Sequence, residues 1–565
     1  MLADYNRRQD EPFSKPILNS FYGDLSRGLE RAYSEKWPTD RPGANRFLLD
    51  FHDEYVGTFE LPLGADDAEI RFYADDMARR CRVHRGRPNN PGGGLEVMRQ
   101  LCARADIKPP NPRKFPEASQ LARLRCPIWW RRRLRVMMAK KTERAYIAAG
   151  LVHRKAQKYI SNDSVERLRQ RHLANVKLLG SLIATNEDGY EMTLLDAQEK
   201  SVANPRIRRN ELMCRLAGFE TVANELNHAA EFYTVTTPSR FHARMGKTGR
   251  KNKKHDGSTP KEGQAYLCKI WARIRAKLAR DGVEYYGFRI AEPHHDATPH
   301  WHILIWTAPE NRFYLNMIIR RYALEESPTE FGASAHRVKL ESIDPARGSA
   351  VAYVAKYISK NIDGYGLDGE EVAAAGRVRA WASTWGIRQF QQLGGPPVGV
   401  WRELRRIETS IEESLGLLSS IVESADNGDF AGYIRGQGGP TVKRDDCTIQ
   451  LEKIQTGEAG QYGDVMAPRT VGVSFGPVVI LTRLHEWKIG KQTETAPPWS
   501  SVNNCTPAPA ALLTELEILT PPAEFGARKP DQITPEYYQL FTERQKKRWI
   551  DEGPPEMFNK RGVYE

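Results

Sequence analysis

The amino-acid sequence predicts an α+β fold whose central antiparallel sheet is of the ferredoxin-like, or split βαβ, type. Strand-like and helix-like patterns follow one another in the order β-α-β-β-α-β between residues 230 and 395. The strand-like segments are β-branched or alternating, whereas the helix-like segments repeat apolar residues every three or four positions. We therefore divide the 565 residues into an N-terminal region of unknown role (1–120), a basic helical region (121–225), the sheet domain (226–406) and an irregular C-terminal region with linkers (407–565).

Local signals set the bounds of the predicted elements. In chain order we predict strand 233–237, helix 267–278, strands 285–292 and 300–306, helix 315–322, strand 338–340 and helix 351–362. Pro238 closes the first strand because proline cannot continue a central ladder. Gly282 and Gly364 stand just past the last apolar positions of two helices, where glycine ends a helix readily.

The bulk composition favours one kind of partner. A net charge of +13 and a pI near 9.2 favour a polyanion such as a nucleic acid. The seven cysteines are dispersed without a CxxC pair, which fits reduced thiols in a cytoplasm and gives no support to a zinc ribbon. No uninterrupted apolar stretch approaches 18 residues, and the N-terminus lacks the apolar segment of a signal peptide, so we expect no membrane association.

Several segments outside the sheet leave two readings open. Six arginines surround Trp129 and Trp130, and this set either stacks and neutralises single-stranded nucleic acid or packs its indoles in a core. The basic segment 244–261 either neutralises phosphates, with a steep salt dependence, or is a solvated loop. The glycine- and proline-rich segments 436–440, 496–511 and 521–522 predict linkers, and the tail 544–549 reads as a solvated, basic helix end.

One strand carries a candidate metal site. His300 and His302 are two residues apart, so a strand places both imidazoles on one face. If the loop before them closes a symmetric hairpin, Glu292 lies directly opposite His300, with Cβ atoms roughly 5 Å apart. Glu292 is the favoured third ligand, and the rivals in the loop are His294, His295 and Asp296. Such a set accepts a divalent cation, and we expect Mg²⁺ or Mn²⁺; the alternative is a pair of surface histidines on an edge strand.

A helix some fifty residues later carries a second set of polar side chains. Its polar face consists of Tyr353, Lys356, Tyr357 and Lys360, at positions i, i+3, i+4 and i+7. A separate apolar stripe can bury the helix against the sheet, so core packing does not require the tyrosines. Phenols beside ammonium groups suit a phosphate ligand.

These two sets together suggest cleavage of a DNA strand by a tyrosine. A phenol has a pKa near ~10 and is a poor nucleophile at neutral pH. Nearby lysines and a metal-bound phosphate favour the phenolate, and the metal offsets charge in the transition state. Attack by the phenolic oxygen releases a 3′-hydroxyl and leaves the 5′-phosphate on the enzyme, and two tyrosines permit a second transfer.

Through several motifs taken together, the chain resembles the replication gene A proteins of tailed phages and prophages, within the HUH endonuclease superfamily. The resemblance runs through residues 214–220, 233–242, 292–302, 348–364, 379–382, 386–391 and 401–405. It implies an HUH endonuclease core in which His300 and His302 bind metal while Tyr353 and Tyr357 act as nucleophiles. It leaves the third ligand open. At Ala297 this chain departs from the glycine frequent in the family.

The resemblance also implies a rolling-circle replication initiator. Such a protein nicks single-stranded DNA at a phage replication origin, then terminates replication by a second transfer that closes the displaced strand. The expected setting is the cytoplasm of the bacterial host cell, with the enzyme acting as a monomer beside a host polymerase. The sequence holds no GxxxxGK[ST] phosphate loop, so we expect a separate host helicase to unwind the duplex.

Three rival functions stay open at this stage. A plasmid or transposon relaxase would use the same chemistry on another replicon. A metal-dependent hydrolase would use water as nucleophile, with the tyrosines only binding. A non-enzymatic origin-binding protein would recruit replication machinery without forming a covalent adduct.

Overall fold

The structure is a computed structural model, and it describes residues 2–57, 60–84, 93–344, 348–366, 369–407 and 416–491. The predicted linkers 496–511 and 521–522 and the tail 544–549 lie outside the described residues. No helix among the described residues is both long and apolar enough to cross a lipid bilayer.

Helices make up the N-terminal part of the chain. They are α1 (Leu2–Asn19), α2 (Gly23–Lys36), α3 (Arg41–Tyr55), α4 (Asp67–Val83), α5 (Gly93–Arg104), α6 (Glu117–Leu124) and α7 (Pro127–Ala148). Trp129 and Trp130 are buried in a hydrophobic cluster that α4, α5 and α7 share. The Trp130 indole N–H donates to the Leu124 carbonyl at 2.7 Å. The core-packing reading of these tryptophans is therefore correct, because buried indoles are not available to stack bases.

Two strands of a small sheet and three further helices lead into the central sheet. They are α8 (Asn162–Gly180), β1 (Leu182–Asn186), β2 (Glu191–Thr193), α9 (Leu194–Glu199) and α10 (Pro205–Glu225). The sheet domain then comprises β3 (Ala229–Thr236), α11 (Pro260–Arg280), β4 (Tyr286–Pro293), β5 (Pro299–Thr307), α12 (Arg312–Leu324), α13 (Ala333–His336), β6 (Val338–Ser342), α14 (Ala350–Ile362), α15 (Gly369–Trp385) and β7 (Phe390–Leu393).

The central sheet has the strand order β6-β3-β5-β4-β7, with every neighbouring pair antiparallel. The predicted succession of strands and helices is observed, and the mixture of helices with antiparallel sheets confirms the α+β class. Each of α11 and α12 connects two strands that are not neighbours, so both helices cross the sheet.

Both faces of the sheet are buried, because helices cover each of them. The face carrying Trp301 and Ile303 packs against α11 and α12. The opposite face, which carries Phe232 and Leu304, packs against α10 and α14. The strands therefore read as nearly continuous apolar runs, and the polar residues between them are exceptions that need partners.

The C-terminal part is more regular than predicted. It contains α16 (Val398–Leu404), α17 (Gly416–Asp426), α18 (Phe430–Gly436), β8 (Gln450–Ile454), β9 (Arg469–Phe475), β10 (Val478–Leu481) and β11 (Trp487–Lys491). The prediction of an irregular region is therefore wrong for residues 416–491, although residues 436–440 do form a turn. Leu418, Ile421, Val422 and Ala425 have helical spacing and are buried in a hydrophobic cluster, with α17 packed on α16 and α18. β11 pairs with the distant β1, which local sequence does not reveal.

Candidate active site

A hairpin of β4 and β5 forms the centre of the candidate site. Its register pairs Glu292 with His300 and Pro293 with Pro299, as a symmetric hairpin predicts. His302 pairs with Thr234 of β3 on the other side. Since paired residues share a face, Glu292, His300 and His302 all point to the face covered by α14.

The three side chains converge and are buried. The Nε2 atoms of His300 and His302 lie 3.1 Å apart. The Glu292 carboxylate oxygen Oε2 lies 4.0 Å from His300 Nε2 and 3.7 Å from His302 Nε2. Ligands of a common ion with bonds of about 2.1 Å lie roughly 3 to 3.5 Å apart. The donor set and spacing fit one divalent cation.

Neighbouring groups hold these side chains in a state suited to metal binding. Burial, His302 and Lys360 keep the pKa of His300 well below its usual range, so this imidazole is neutral. Burial raises the pKa of the Glu292 carboxyl, but His302 and Lys360 outweigh it, and the net pKa is below its ordinary value. Neutral imidazole and ionised carboxylate are the forms that bind metals.

A layer of hydrogen bonds orients the ligand side chains. Thr234 Oγ1 lies 3.1 Å from His302 Nδ1, which leaves His302 Nε2 directed at the cluster. The Asn361 amide donates to Glu292 Oε1, and Lys360 Nζ donates to Glu292 Oε2 at 3.2 Å. Gln389 in turn donates to Asn361 Oδ1 at 3.0 Å. Partners of this kind fix ring and carboxylate orientation at metal sites.

The rival ligands in the hairpin loop have other contacts. Asp296 accepts the Arg244 backbone N–H at 3.3 Å, and its Oδ2 lies 3.2 Å from His242 Nδ1. The His295 ring stacks on Tyr159, with centroids 5.4 Å apart. His294 packs on His300 at 4.1 Å between ring centroids, and its buried Nε2 has no hydrogen-bond partner among the described residues. Glu292 is favoured as third ligand because its carboxylate oxygen converges with both imidazole nitrogens, and none of these three loop residues belongs to that converging set.

Ala297 forms the tip of this loop in a left-handed conformation, with φ of 71°. Glycine adopts that region without steric cost, which accounts for glycine at this position in the resembling family. Trp381 Nε1 donates to the Ala297 carbonyl at 2.8 Å. Buried packing and this hydrogen bond hold the turn even with a Cβ present.

The helix α14 carries both tyrosines and lies on the face of the sheet that carries Glu292, His300 and His302. Its first turn is capped by Glu220 of α10, which accepts the Ser349 hydroxyl at 2.6 Å and the Val351 N–H at 3.3 Å. Val354 and Ile358 bury the apolar stripe as predicted. Gly364, with φ of 74°, donates its N–H to the Ser359 carbonyl at 2.7 Å and ends the helix.

The two tyrosines are placed differently. The Tyr357 ring packs on His302 with centroids 4.0 Å apart and also stacks on Phe232. Tyr353 lies one turn earlier, is 45% exposed, and contacts Phe232 at 6.3 Å between centroids. Tyr357 is therefore next to the candidate metal ligands, and Tyr353 is next to Tyr357 on the open side.

The expected effect of the lysines on the phenols is only partly present. Burial raises the pKa of Tyr357, and Glu292 and Glu341 raise it further, while Lys360 and Lys339 lower it by less. The net pKa of Tyr357 is above its ordinary value. Neutralising the negative charge of Glu292 would therefore lower the pKa of Tyr357.

The two lysines of the predicted face have separate partners. Lys360 is half-buried and bonds to Glu292 inside the cluster. Lys356 is exposed and forms an ion pair of 2.8 Å with Glu371 of α15. The structure therefore brings Lys360 to the candidate metal ligands and directs Lys356 toward the neighbouring helix.

Sequence reasoning missed Asn361, Gln389 and Glu220 as parts of this site. All three lie in segments that carry the family resemblance, 214–220, 348–364 and 386–391, but the resemblance assigned none of them a role at the metal site. The caps and supports from α10 and β7 depend on tertiary contacts.

Known proteins match this chain over most of its described part. Residues 95–365 match the family described as bacteriophage replication gene A protein (GPA). The chain is 43% identical over 437 residues to "Replication gene A protein" of Escherichia phage 186, covering 73% of this chain and 61% of that protein. It is 39% identical over 410 residues to "Probable replication protein P12" of Pseudoalteromonas phage PM2, covering 70% and 63%.

A prophage protein is also similar. The "Probable replication endonuclease from prophage-like region" of Salmonella paratyphi A is 35% identical over 451 residues, covering 73% of this chain and 56% of that protein. The chain thus spans about six tenths of the length of these relatives. No solved structure matches the chain significantly.

The family match begins well before the central sheet. It takes in α5 to α10 as well as the hairpin and the tyrosine helix. The resemblance inferred from the motifs is confirmed, because residues 95–365 match the bacteriophage replication gene A protein family and relatives with that name are similar over most of this chain.

Proposed function

We propose that this protein is a site-specific single-strand DNA endonuclease and strand transferase of the HUH type. It would initiate and terminate rolling-circle replication of a phage genome through a 5′-phosphotyrosine. The central observation is the packing of Tyr357 on His302, at 4.0 Å between centroids, within a cluster that has the donors of a metal site. The names of phage replication proteins and prophage replication endonucleases among the relatives support the same proposal.

The proposed metal ligands are Glu292, His300 and His302, and the ion would be Mg²⁺ or Mn²⁺. When bound, it would act as a Lewis acid that stabilises charge on the scissile phosphate. Thr234 and Asn361 would keep the ligand atoms directed at it. Lys360 carries a positive charge, because Glu292 outweighs the effect of burial and raises the pKa of this lysine. It would therefore offset phosphate charge as well as hold Glu292.

The reaction would be a transesterification at phosphorus. The phenolic oxygen of Tyr357 or Tyr353 forms a bond to phosphorus while the bond from phosphorus to the 3′-oxygen breaks. The proton lost by the phenol balances the proton that the departing 3′-oxygen takes up to become a 3′-hydroxyl. The 5′-phosphate stays on the tyrosine. The reverse attack by another 3′-hydroxyl reseals the strand. One tyrosine would hold the first cut end, while the other, one helical turn away, would make the next cut.

The partners follow from this reaction. Single-stranded DNA at a replication origin is the proposed substrate, with a host helicase and a host polymerase supplying unwinding and synthesis. The phage and prophage origin of the relatives favours this reading over a plasmid relaxase.

A covalent-adduct experiment tests the proposal. Labelled single-stranded oligonucleotides that tile the DNA around the gene are incubated with protein and Mn²⁺, and adducts are resolved under denaturing conditions and mapped by mass spectrometry. We expect an adduct on Tyr357 or Tyr353. The Tyr353→Phe, Tyr357→Phe double variant should form none, whereas the matched control Tyr365→Phe, an exposed tyrosine just beyond α14, should react normally.

Other outcomes would select a rival function. Nicking that persists in the double variant would point to water as nucleophile. DNA binding without any metal-dependent nicking would point to an origin-binding protein. The His300→Ala, His302→Ala variant should fold and bind DNA but cleave poorly, and a collapse of its folding would indicate a structural role for the histidines.

A further inference from the structure

A segment far away in sequence forms a wall beside the candidate site. Residues 150–160, between α7 and α8, run past the hairpin loop of β4 and β5. The Tyr159 backbone N–H donates to the His295 carbonyl at 3.2 Å, and the two rings stack. Lys360 Nζ lies 5.6 Å from the centre of the Tyr159 ring. Tyr159 therefore connects the segment to both the hairpin loop and the tyrosine helix.

This wall is held in place by its backbone. Arg377 of α15 donates from Nε to the Lys158 carbonyl at 2.8 Å and from Nη2 to the Ile160 carbonyl. Tyr159 has a φ of 71°, which costs free energy for a residue with a Cβ. Backbone strain that is held by surrounding contacts occurs often at functional sites, so this segment merits a functional explanation.

The same segment packs against the first part of the predicted basic segment 244–261, which forms a hairpin over residues 244–251. Arg244 and Lys251 form an antiparallel bridge at the base of that hairpin. A Cβ placed on Gly249 would lie 2.6 Å from His153 Nδ1, so the hairpin and the segment are in close contact. The Arg244 backbone N–H also donates to Asp296 of the loop that joins β4 and β5, at 3.3 Å. The three segments therefore form one continuous surface.

Exposed cations lie along this surface. We name them the basic ridge, and its members are Arg154, Lys155, Lys247, Arg250 and Lys251. None of the five forms an ion pair with another described residue. Surface cations elsewhere on the described chain commonly have a carboxylate partner, as Arg240 does with Asp256 and Glu326. A row of cations without such partners suits a repeating anion.

The inference rests on the proposed function. We propose that the basic ridge binds the phosphates of single-stranded DNA beside the scissile phosphate, with residues 150–160 and the hairpin 244–251 acting as one backbone-binding surface. The contacts would be to phosphate and not to bases, so they would position the strand without selecting its sequence.

The experiment measures binding of a 30-nucleotide single strand by fluorescence anisotropy in EDTA, where cleavage cannot contribute. Two double variants, Arg154→Gln with Lys155→Gln and Lys247→Gln with Lys251→Gln, are compared with the wild type across salt concentrations. Each lost phosphate contact should reduce the steepness of the negative slope of log association constant against log salt by about 0.7. At 0.1 M salt relative to 1 M this is about fivefold per contact, so each double variant should raise Kd about 25-fold.

A matched control removes two exposed cations elsewhere. Lys108 and Arg113 lie between α5 and α6, beside a different hydrophobic cluster, and their double replacement by Gln should leave Kd and the salt slope close to wild type. Single methylphosphonate substitutions along the strand then locate the contact. A methylphosphonate next to the nick should raise the Kd of the wild type but should have no effect on the Kd of the ridge variants.

Each result decides the inference separately from the proposed function. A ridge variant whose Kd and salt slope equal those of the control overturns the inference, even if the wild type forms the phosphotyrosine adduct. A weakened, less salt-dependent binding supports the ridge as a DNA surface even if no adduct forms. Equal losses in the ridge and control variants would mean a general effect of charge and would also overturn it.

Discussion

Asn361 offers the most direct test of how the tyrosine helix is joined to the candidate metal site. Its buried amide donates to Glu292 Oε1 and to the Tyr357 carbonyl at 2.6 Å, and its Oδ1 accepts from Gln389. Asn361→Leu keeps the volume and the helix but removes all three hydrogen bonds. Glu292 would then keep Lys360 as its donor among the residues of α14.

The expected magnitudes follow from these contacts. Loss of an orienting partner of a metal ligand weakens metal binding by about 10- to 100-fold, or roughly 1.4 to 2.7 kcal/mol. A hydrogen bond to a charged group contributes roughly 1.5 to 3 kcal/mol, and a buried amide left without its partner costs about 1 to 3 kcal/mol more. Gln389 Nε2 also lies 3.3 Å from the Asn361 backbone carbonyl, so it keeps an acceptor in the variant and the second cost is reduced. We therefore expect the free energy of unfolding to fall by about 2 to 4 kcal/mol.

Isothermal titration of metal-free protein with Mn²⁺ measures the affinity, and urea denaturation in EDTA measures the stability. The matched control is Asn224→Leu, because Asn224 is exposed on α10 and its side chain forms no hydrogen bond with a described residue. The control should stay within about twofold of wild type in Mn²⁺ affinity. If Asn361→Leu lowers stability but binds Mn²⁺ as tightly as wild type does, Asn361 serves packing alone and the argument that it orients Glu292 is refuted.

Three further expectations come from other contacts. Thr234→Val removes the hydroxyl 3.1 Å from His302 Nδ1, and calorimetry should show a loss of about tenfold in Mn²⁺ affinity; no loss would mean that packing alone orients the ring. Burial raises the pKa of Glu330, but its hydrogen-bond donors outweigh this and hold it at about 2 against an ordinary 4.5, so its ionised form stabilises the fold above about pH 4.5 and less as pH falls toward 2. Glu330→Gln should therefore lower the free energy of unfolding by roughly 1 to 3 kcal/mol at pH 7 and by about half as much at pH 3, and equal losses at both pH values would contradict this. Trp130→Ala should cost about 3 to 5 kcal/mol of stability without changing the Kd for single-stranded DNA while folded, whereas a selective loss of DNA affinity would restore a stacking role for this indole.

Local patterns were sufficient for much of the candidate site. Two histidines at strand spacing share a face, and a short symmetric loop places Glu292 opposite His300, so one hairpin defines the cluster. Helical spacing likewise separates the apolar stripe of α14 from its polar face. These features depend on residues within a few positions of one another, where strand and helix geometry leave little choice.

Contacts between distant segments were beyond the reach of the sequence. Lys356 and Lys360 look equivalent on a helical wheel, yet packing directs one to Glu371 and the other to Glu292. Trp129 and Trp130 lie among arginines and are still buried, since the neighbouring helices α4 and α5 supply an apolar surface. Local composition alone cannot show what covers a side chain.

By itself, the sequence determined the α+β class, the family resemblance and the pairing of the imidazoles with Glu292, because these depend on short-range periodicity and on motifs. Only the tertiary structure decided that Tyr357 packs on His302, that Asn361 donates a hydrogen bond to Glu292, and that residues 150–160 lie against the β4–β5 hairpin. The physical reason is that these contacts join α14, the β4–β5 hairpin and the α7–α8 connection, whose distances depend on how helices pack on the two faces of the sheet.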